Sequence, residues 1–184
     1  IGIALFPGDA SDFAHLMQRA DVAMYVAKAD RTGVEVYDPG KDRNSTARLS
    51  LYSELRRGLT EGALEMHYQP KVGLTDERPL GWEALARWRH PDRGLLTPDE
   101  FMPVVEQSNL LKSFTVEVLD ITLAQIARWR RQGMELPVAV NLGVRELLDP
   151  ELPGIVAAAL REYGVAPGQL VLEIGEDALI ADTA

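Results

Sequence analysis

The chain has 184 residues, of which 46% are hydrophobic and 26% charged, with 28 acidic against 19 basic residues and a formal net charge of −9. This composition fits one ordinary globular domain or parts of two, and the acidic balance argues against sequence-independent binding to DNA or to an anionic lipid surface. The chain has no cysteine, which excludes a disulfide framework or a thiolate zinc site and is compatible with a reducing cytoplasm; no apolar run approaches the roughly 20 residues that cross a bilayer.

The chain opens without methionine inside an apolar run, Ile1-Gly2-Ile3-Ala4-Leu5-Phe6, and closes at Asp182-Thr183-Ala184, just after a buried-strand pattern. Native ends are usually polar and solvated, so the expectation is a piece of a longer protein. Ile1 to Phe6 reads as a strand stopped by Pro7-Gly8-Asp9. Asp9 or Ser11 can cap a helix to about Lys28, with Phe13, Leu16, Met17, Ala20, Met24 and Ala27 on one face. Gly33 breaks it, and Val34, Val36 and Tyr37 begin another extended stretch closed by Asp38-Pro39-Gly40. After a polar boundary near residues 41–48, Leu49, Tyr52, Leu55 and Leu59 mark a connector helix over 47–61, ended by Gly62.

From Leu64 to Val72 apolar and polar residues alternate, which predicts a strand. Trp82 to Trp88 is the next strand, followed by a helix from Pro98 to about Asn109. Ser113 can cap a long helix to Gln132, whose Arg128, Arg130 and Arg131 complement the dipole at its end. Pro137 to Leu142 and Gln169 to Ile174 read as buried strands, with a helix between Asp149 and Gly164. Strands separated by helices predict right-handed crossovers and a parallel sheet or barrel.

Glu83, Asn141 and Glu173 each interrupt an apolar strand. Burying such groups without partners costs roughly 2–7 kcal/mol for an amide and more for a carboxylate. The expectation is that all three lie at the same end of neighbouring parallel strands and converge there, where α/β barrels carry their active sites. Two carboxylates and an amide oxygen suit magnesium or manganese better than zinc. Any one of them could instead be a buried carboxylate paired with arginine or a satisfied amide. Arg87 shares a strand face with Glu83; it can grip a phosphate bidentately or simply pair with Glu83. His90, before Pro91, reads as a turn histidine, His67 and Gln69 share one strand face, and His15 reads as solvated.

Glu83-Ala84-Leu85, preceded by Tyr68-Gln69-Pro70 and followed by Arg87, His90-Pro91, Pro98 and Phe101-Met102-Pro103, resembles the opening of the EAL family. Asn141-Leu142-Gly143 is similar to that family's Asn-Leu-Ser motif, and Glu173-Ile174-Gly175-Glu176 to its Glu-x-Thr-Glu motif. Upstream, Ala20 to Lys28 resembles the C-terminal helix of GGDEF domains, and Ile1-Gly2-Ile3-Ala4 their last core strand before it. The resemblance implies an α/β fold: a partial TIM-like (β/α)8 barrel of EAL type over 63–184, preceded by the last strand-helix-strand of a GGDEF-like domain over 1–43 and a linker helix over 44–62.

It also implies hydrolysis of cyclic di-GMP to linear pGpG with Mg2+ or Mn2+. Glu83, Asn141 and Glu173 would hold metal, Gln69 and Arg87 would contact the dinucleotide, and Glu83 and Glu176 would be catalytic. Glu106 would be a supporting residue and Lys28 the phosphate contact of the GGDEF remnant. The implied partner is cyclic di-GMP rather than a nucleic acid polymer, in a cytoplasmic protein dimerising through its EAL part and open to membrane anchoring through regions upstream.

Three departures bear on this. The chain stops before the family's paired aspartates and later lysine and glutamate, so by itself it is expected to be inactive, with the Val140 and Val171 strands left with open edges. Gly143 and Gly175 stand where the family has Ser and Thr, which removes two hydroxyls beside the expected ligands. Thr32 stands where the GGDEF family has an arginine, with Arg31 adjoining. The alternative reading is a degenerate EAL domain that binds the dinucleotide or a protein partner without hydrolysis.

Overall fold

The computed structural model describes residues 1–29 and 32–175. At the start of the chain only Gly2–Ile3 (β1) is a strand, pairing in parallel with Glu35–Val36 (β2), and Phe13–Ala29 (α1) connects them. The expected strand to Phe6 is cut short because Leu5 turns back on Asp9, whose carboxylate accepts the Leu5 N–H at 2.6 Å. Asp12, rather than Asp9 or Ser11, caps α1: its side chain accepts the His15 N–H at 2.9 Å, leaving His15 exposed as expected.

Pro39–Thr60 (α2) is one continuous helix that begins well before residue 47. Pro39 suits a first helical position, since its φ is preset and its missing N–H would have no partner there. Beyond it the chain builds Leu64–Val72 (β3), Pro79–His90 (β4), Gly94–Leu96 (β5), Pro98–Glu106 (α3), Leu111–Arg131 (α4), Val138–Leu142 (β6), Val144–Leu147 (α5), Leu152–Glu162 (α6) and Leu170–Ile174 (β7). Ser113 does not cap α4 but sits inside its first turn, after Leu110. Arg130, in the last turn of α4, donates to the Gly164 carbonyl just beyond α6 at 2.5 Å.

The main sheet has the order β3-β4-β6-β7, with β5 paired to the far end of β4. It is mixed, not parallel throughout: β3 and β4 are antiparallel, while β4, β6 and β7 run parallel. The cause is the connection. Residues 73–78 close a tight turn, with Gly73 donating to the Arg78 carbonyl at 2.9 Å, and a parallel crossover needs a dozen residues or more. The Val140 strand is not an edge, because β6 lies between β4 and β7; β7 borders the described sheet.

One sheet face makes the core. Leu64, Ala84, Trp88, Val138 and Val140 pack against Leu51 and Leu55 of α2, Phe101, Val104 and Val105 of α3, and Phe114, Leu119, Leu123 and Ile126 of α4. Two contacts lock α2 to β4. Gly58 lies so close to Trp88 that an added Cβ would sit 2.7 Å from the indole Nε1. Glu54 Oε2 meets His90 Nε2 at 2.9 Å, and His90 Nδ1 accepts the Asp92 and Arg93 N–H groups at 3.1 and 3.2 Å. Since Nδ1 accepts, Nε2 carries the proton and donates to Glu54. His90 is thus the turn histidine expected, and with Ser50 it holds the Glu54 carboxyl below the usual range.

Alanine is the better helix former by about 1 kcal/mol, yet Gly58→Ala is expected to destabilise the protein by about 1–3 kcal/mol through overpacking against an immobile indole. A urea midpoint at or above that of wild type would contradict this packing.

Candidate functional site

The other face of the sheet carries the polar residues. In β4, Ala84, Trp88 and His90 are buried on the helical side, so strand alternation sends Glu83, Leu85 and Arg87 to the opposite face. Register carries that face across the sheet: Gln69 lies opposite Glu83, Glu83 opposite Ala139, and Asn141 opposite Glu173. Lys71, two residues beyond Gln69, belongs to it as well. Asn141 Nδ2 donates to Glu83 Oε1 at 2.7 Å, and Lys71 Nζ forms an ion pair with Glu173 Oε1.

That ion pair also reports curvature. β3 and β7 are at opposite ends of the sheet order, and three strand spacings would hold them roughly 14 Å apart in a flat sheet with side chains standing parallel. Contact between Lys71 and Glu173 therefore requires the sheet to twist and curl toward the polar face.

Glu83 is not at the end of its strand, since β4 continues to His90. It is at the end of the parallel ladder, because pairing with β6 stops at Ala84; the remainder of β4 pairs with β3 and β5. Asn141 and Glu173 are penultimate in β6 and β7. The three expected residues are thus brought together.

The donor set is two carboxylates and one amide, hard oxygens suited to a small divalent cation. Asn141 spends its amide nitrogen on Glu83, and among the described residues no donor is bonded to its Oδ1. Lys71 on Glu173 shows that positive charge is accommodated at this face. No group of three His, Asp or Glu side chains is placed to hold a metal among the described residues; a three-residue site here would need the Asn141 amide oxygen as its third donor.

Arg87 does not pair with Glu83. Its Nη1 donates to the Ala86 carbonyl at 2.7 Å, which leaves the rest of the guanidinium for another acceptor. Gln69 is exposed beside Glu83, and His67 meets Glu65 at 3.1 Å. Glu106 ends α3, and its carbonyl accepts from Arg145 of α5. Lys28 lies in α1 with its side chain outside the described residues, and Glu176 lies outside them altogether.

Two residues with clear structural work are invisible in the motifs. Lys71 is one. The other is Glu146, 8% exposed, whose Oε2 accepts the Gly143 N–H at 3.1 Å. Burial pushes its carboxyl above the usual range. A Cβ at Gly143 would lie 2.8 Å from that oxygen, so the glycine and the buried glutamate fit each other, and the turn after Asn141 is held without a hydroxyl at position 143. The spacing from Gly143 to Glu146 is that of an N-cap and the third helical residue, a readable signal. Beside it, a groove of about 380 Å³ between α4, α5 and α6 is lined by Lys112, Thr115, Glu146 and Leu152 among others; it is separate from the polar sheet face.

A mixed, curled α/β sheet with two carboxylates and a carboxamide at the end of its parallel ladder defines the class: the chain belongs to the EAL family, whose domain model matches residues 53–184. Among its relatives, the bifunctional diguanylate cyclase/cyclic di-GMP phosphodiesterase MucR of Pseudomonas aeruginosa is 37% identical over 184 residues, 99% of this chain and 27% of that protein. Cyclic di-GMP phosphodiesterase PdeR of Escherichia coli (strain K12) is 36% identical over 182 residues, 98% of this chain and 27% of that protein. The solved structure of the PaMucR phosphodiesterase in complex with c-di-GMP matches with a TM-score of 0.69 at 35% identity, over 72% of this chain and 54% of that one. The chain spans about a quarter of the length of these two curated relatives. No described helix is long and apolar enough to cross a membrane.

Proposed function

We propose that the full-length protein is a phosphodiesterase that opens cyclic di-GMP to linear pGpG with Mg2+ or Mn2+. The observation that carries this reading is the shared sheet face, on which Glu83 and Asn141 are hydrogen-bonded and Glu173 stands opposite Asn141. In this reading Glu83, Asn141 and Glu173 hold the cation, with Glu83 and Glu176 catalytic. When bound, the cation supplies Lewis-acid charge that offsets the negative charge growing on the phosphate. Arg87, with most of its guanidinium uncommitted, grips a phosphate through its planar fork, and Gln69 offers an amide to the dinucleotide beside Glu83. Hydrolysis adds water across one phosphodiester bond and breaks the ring.

The same reading gives residues 63–184 the role of the first half of an EAL barrel, 44–62 that of a linker and 1–43 that of a GGDEF remnant with Lys28 as its phosphate contact. Glu106 supports the site from α3. The protein is cytoplasmic and dimerises through the EAL part. The relatives' printed activities and the c-di-GMP complex support this substrate. The Gly143 substitution does not favour a non-catalytic receptor, because Glu146 holds the turn that the missing hydroxyl would otherwise serve.

Removing divalent cations from the full-length protein with a chelator is expected to stop conversion of cyclic di-GMP to pGpG, and Mg2+ or Mn2+ is expected to restore it. Tight dinucleotide binding with no product under either metal would sink the enzyme reading.

A further inference from the structure

Lys71 lies outside every motif that points to function, yet it is the residue that closes the polar face. It comes from β3, at one end of the sheet order, and its ammonium pairs with Glu173 on β7, at the other. Both side chains are partly solvated, with exposures of 40% and 34%. Glu83 and Glu173 bring two negative charges to this face, and Arg87 neutralises neither of them. Lysine is suited to such a place. Its charge is compact and strongly hydrated, and its four-carbon stem lets it retract into water. An ammonium and a divalent cation seek the same carboxylate oxygens, and two positive centres repel at contact distance.

We propose that Lys71 is a tethered competitor for the divalent cation: it neutralises Glu173 before the cation binds, is displaced when it does, and so sets how tightly the site takes metal. This rests on the proposal that Glu173 is a metal ligand. Lys71 is in this sense a positioning residue, acting through Glu173. A partly exposed ion pair is worth up to about fivefold in an equilibrium constant, and removing a positive charge beside a divalent ion acts in the same direction.

The test is titration of the full-length protein with Mn2+ alone, reading free Mn2+ by electron paramagnetic resonance, for wild type, Lys71→Met, Lys71→Arg and Glu173→Gln. Lys71→Met keeps the apolar stem and is expected to tighten Mn2+ binding about fivefold, while Lys71→Arg, which keeps the charge, stays near wild type. Unchanged or weaker binding in Lys71→Met, or an arginine variant that behaves like methionine, overturns the inference. If Glu173→Gln weakens binding while Lys71→Met leaves it unchanged, the metal site stands and only the role of Lys71 falls. Binding indifferent to Glu173→Gln removes both.

Discussion

Glu83→Ala in the full-length protein is expected to lower cyclic-di-GMP hydrolysis on the order of 10³-fold or more, with little effect on folding. Among the described residues, Glu83 is the only carboxylate bonded to Asn141, through the 2.7 Å contact from Nδ2 to Oε1. Its loss removes one hard-oxygen donor and also the partner that orients the carboxamide. Loss of a group that only orients a metal ligand typically costs 10–100-fold in affinity or activity, and loss of the ligand itself exceeds that. The stability effect is small, because Glu83 is only half-buried and the released amide can turn to water; about 1 kcal/mol is expected. The measurements are steady-state turnover at saturating Mg2+ and a thermal midpoint on the same preparation. Turnover within tenfold of wild type would refute the metal assignment, whereas a collapsed midpoint would mean that the residue is structural.

Trp88→Ala is expected to remove about 3–5 kcal/mol of stability, the range for truncating a large buried aromatic. Trp88 is 1% exposed and packs edge-on against Phe101 with centroids 6.1 Å apart and against His90 at 4.9 Å. Its far side meets Gly58. The strand that carries Glu83 and Arg87 is thus clamped to α2 and α3 through this one ring. Trp88→Phe is expected to cost far less, since among the described residues the indole Nε1 has no hydrogen-bond partner and a phenyl ring removes that orphan donor while keeping much of the volume. Urea midpoints of the two variants check this; a loss below about 1 kcal/mol for Trp88→Ala would show that the core lies elsewhere.

Much of this arrangement was legible because strand and helix periods differ. The alternation from Leu64 to Val72 gave β3 its bounds, and the apolar runs gave β6 and β7 to within a residue. The antiparallel turn between β3 and β4 was missed, although a connection of residues 73–78 is too short for a crossover. β5 and α5 were missed because three and four residues are too few for a period to show. The start of α2 was obscured by its polar first turns, which carry no apolar stripe.

For the site, Glu83, Asn141 and Glu173 were readable as polar interruptions of apolar strands. Lys71 was not, because a lysine on a half-exposed strand looks like solvent-facing filler until the curl of the sheet brings β7 to it. Glu146 was hidden for the opposite reason: it sits in a short polar stretch, and only packing against α4 buries it. The Glu54–His90 link joins residues far apart in the chain, and no local pattern reports such a pair.

Glu83, Asn141 and Glu173 are proposed to meet around one divalent cation. Anomalous diffraction at the manganese edge, from crystals of the full-length protein grown with Mn2+, tests it directly. The expected map has a peak within roughly 2.0–2.2 Å of oxygens from all three residues, with Lys71 turned away. A peak elsewhere, or one that Glu83 and Glu173 do not share, would contradict it.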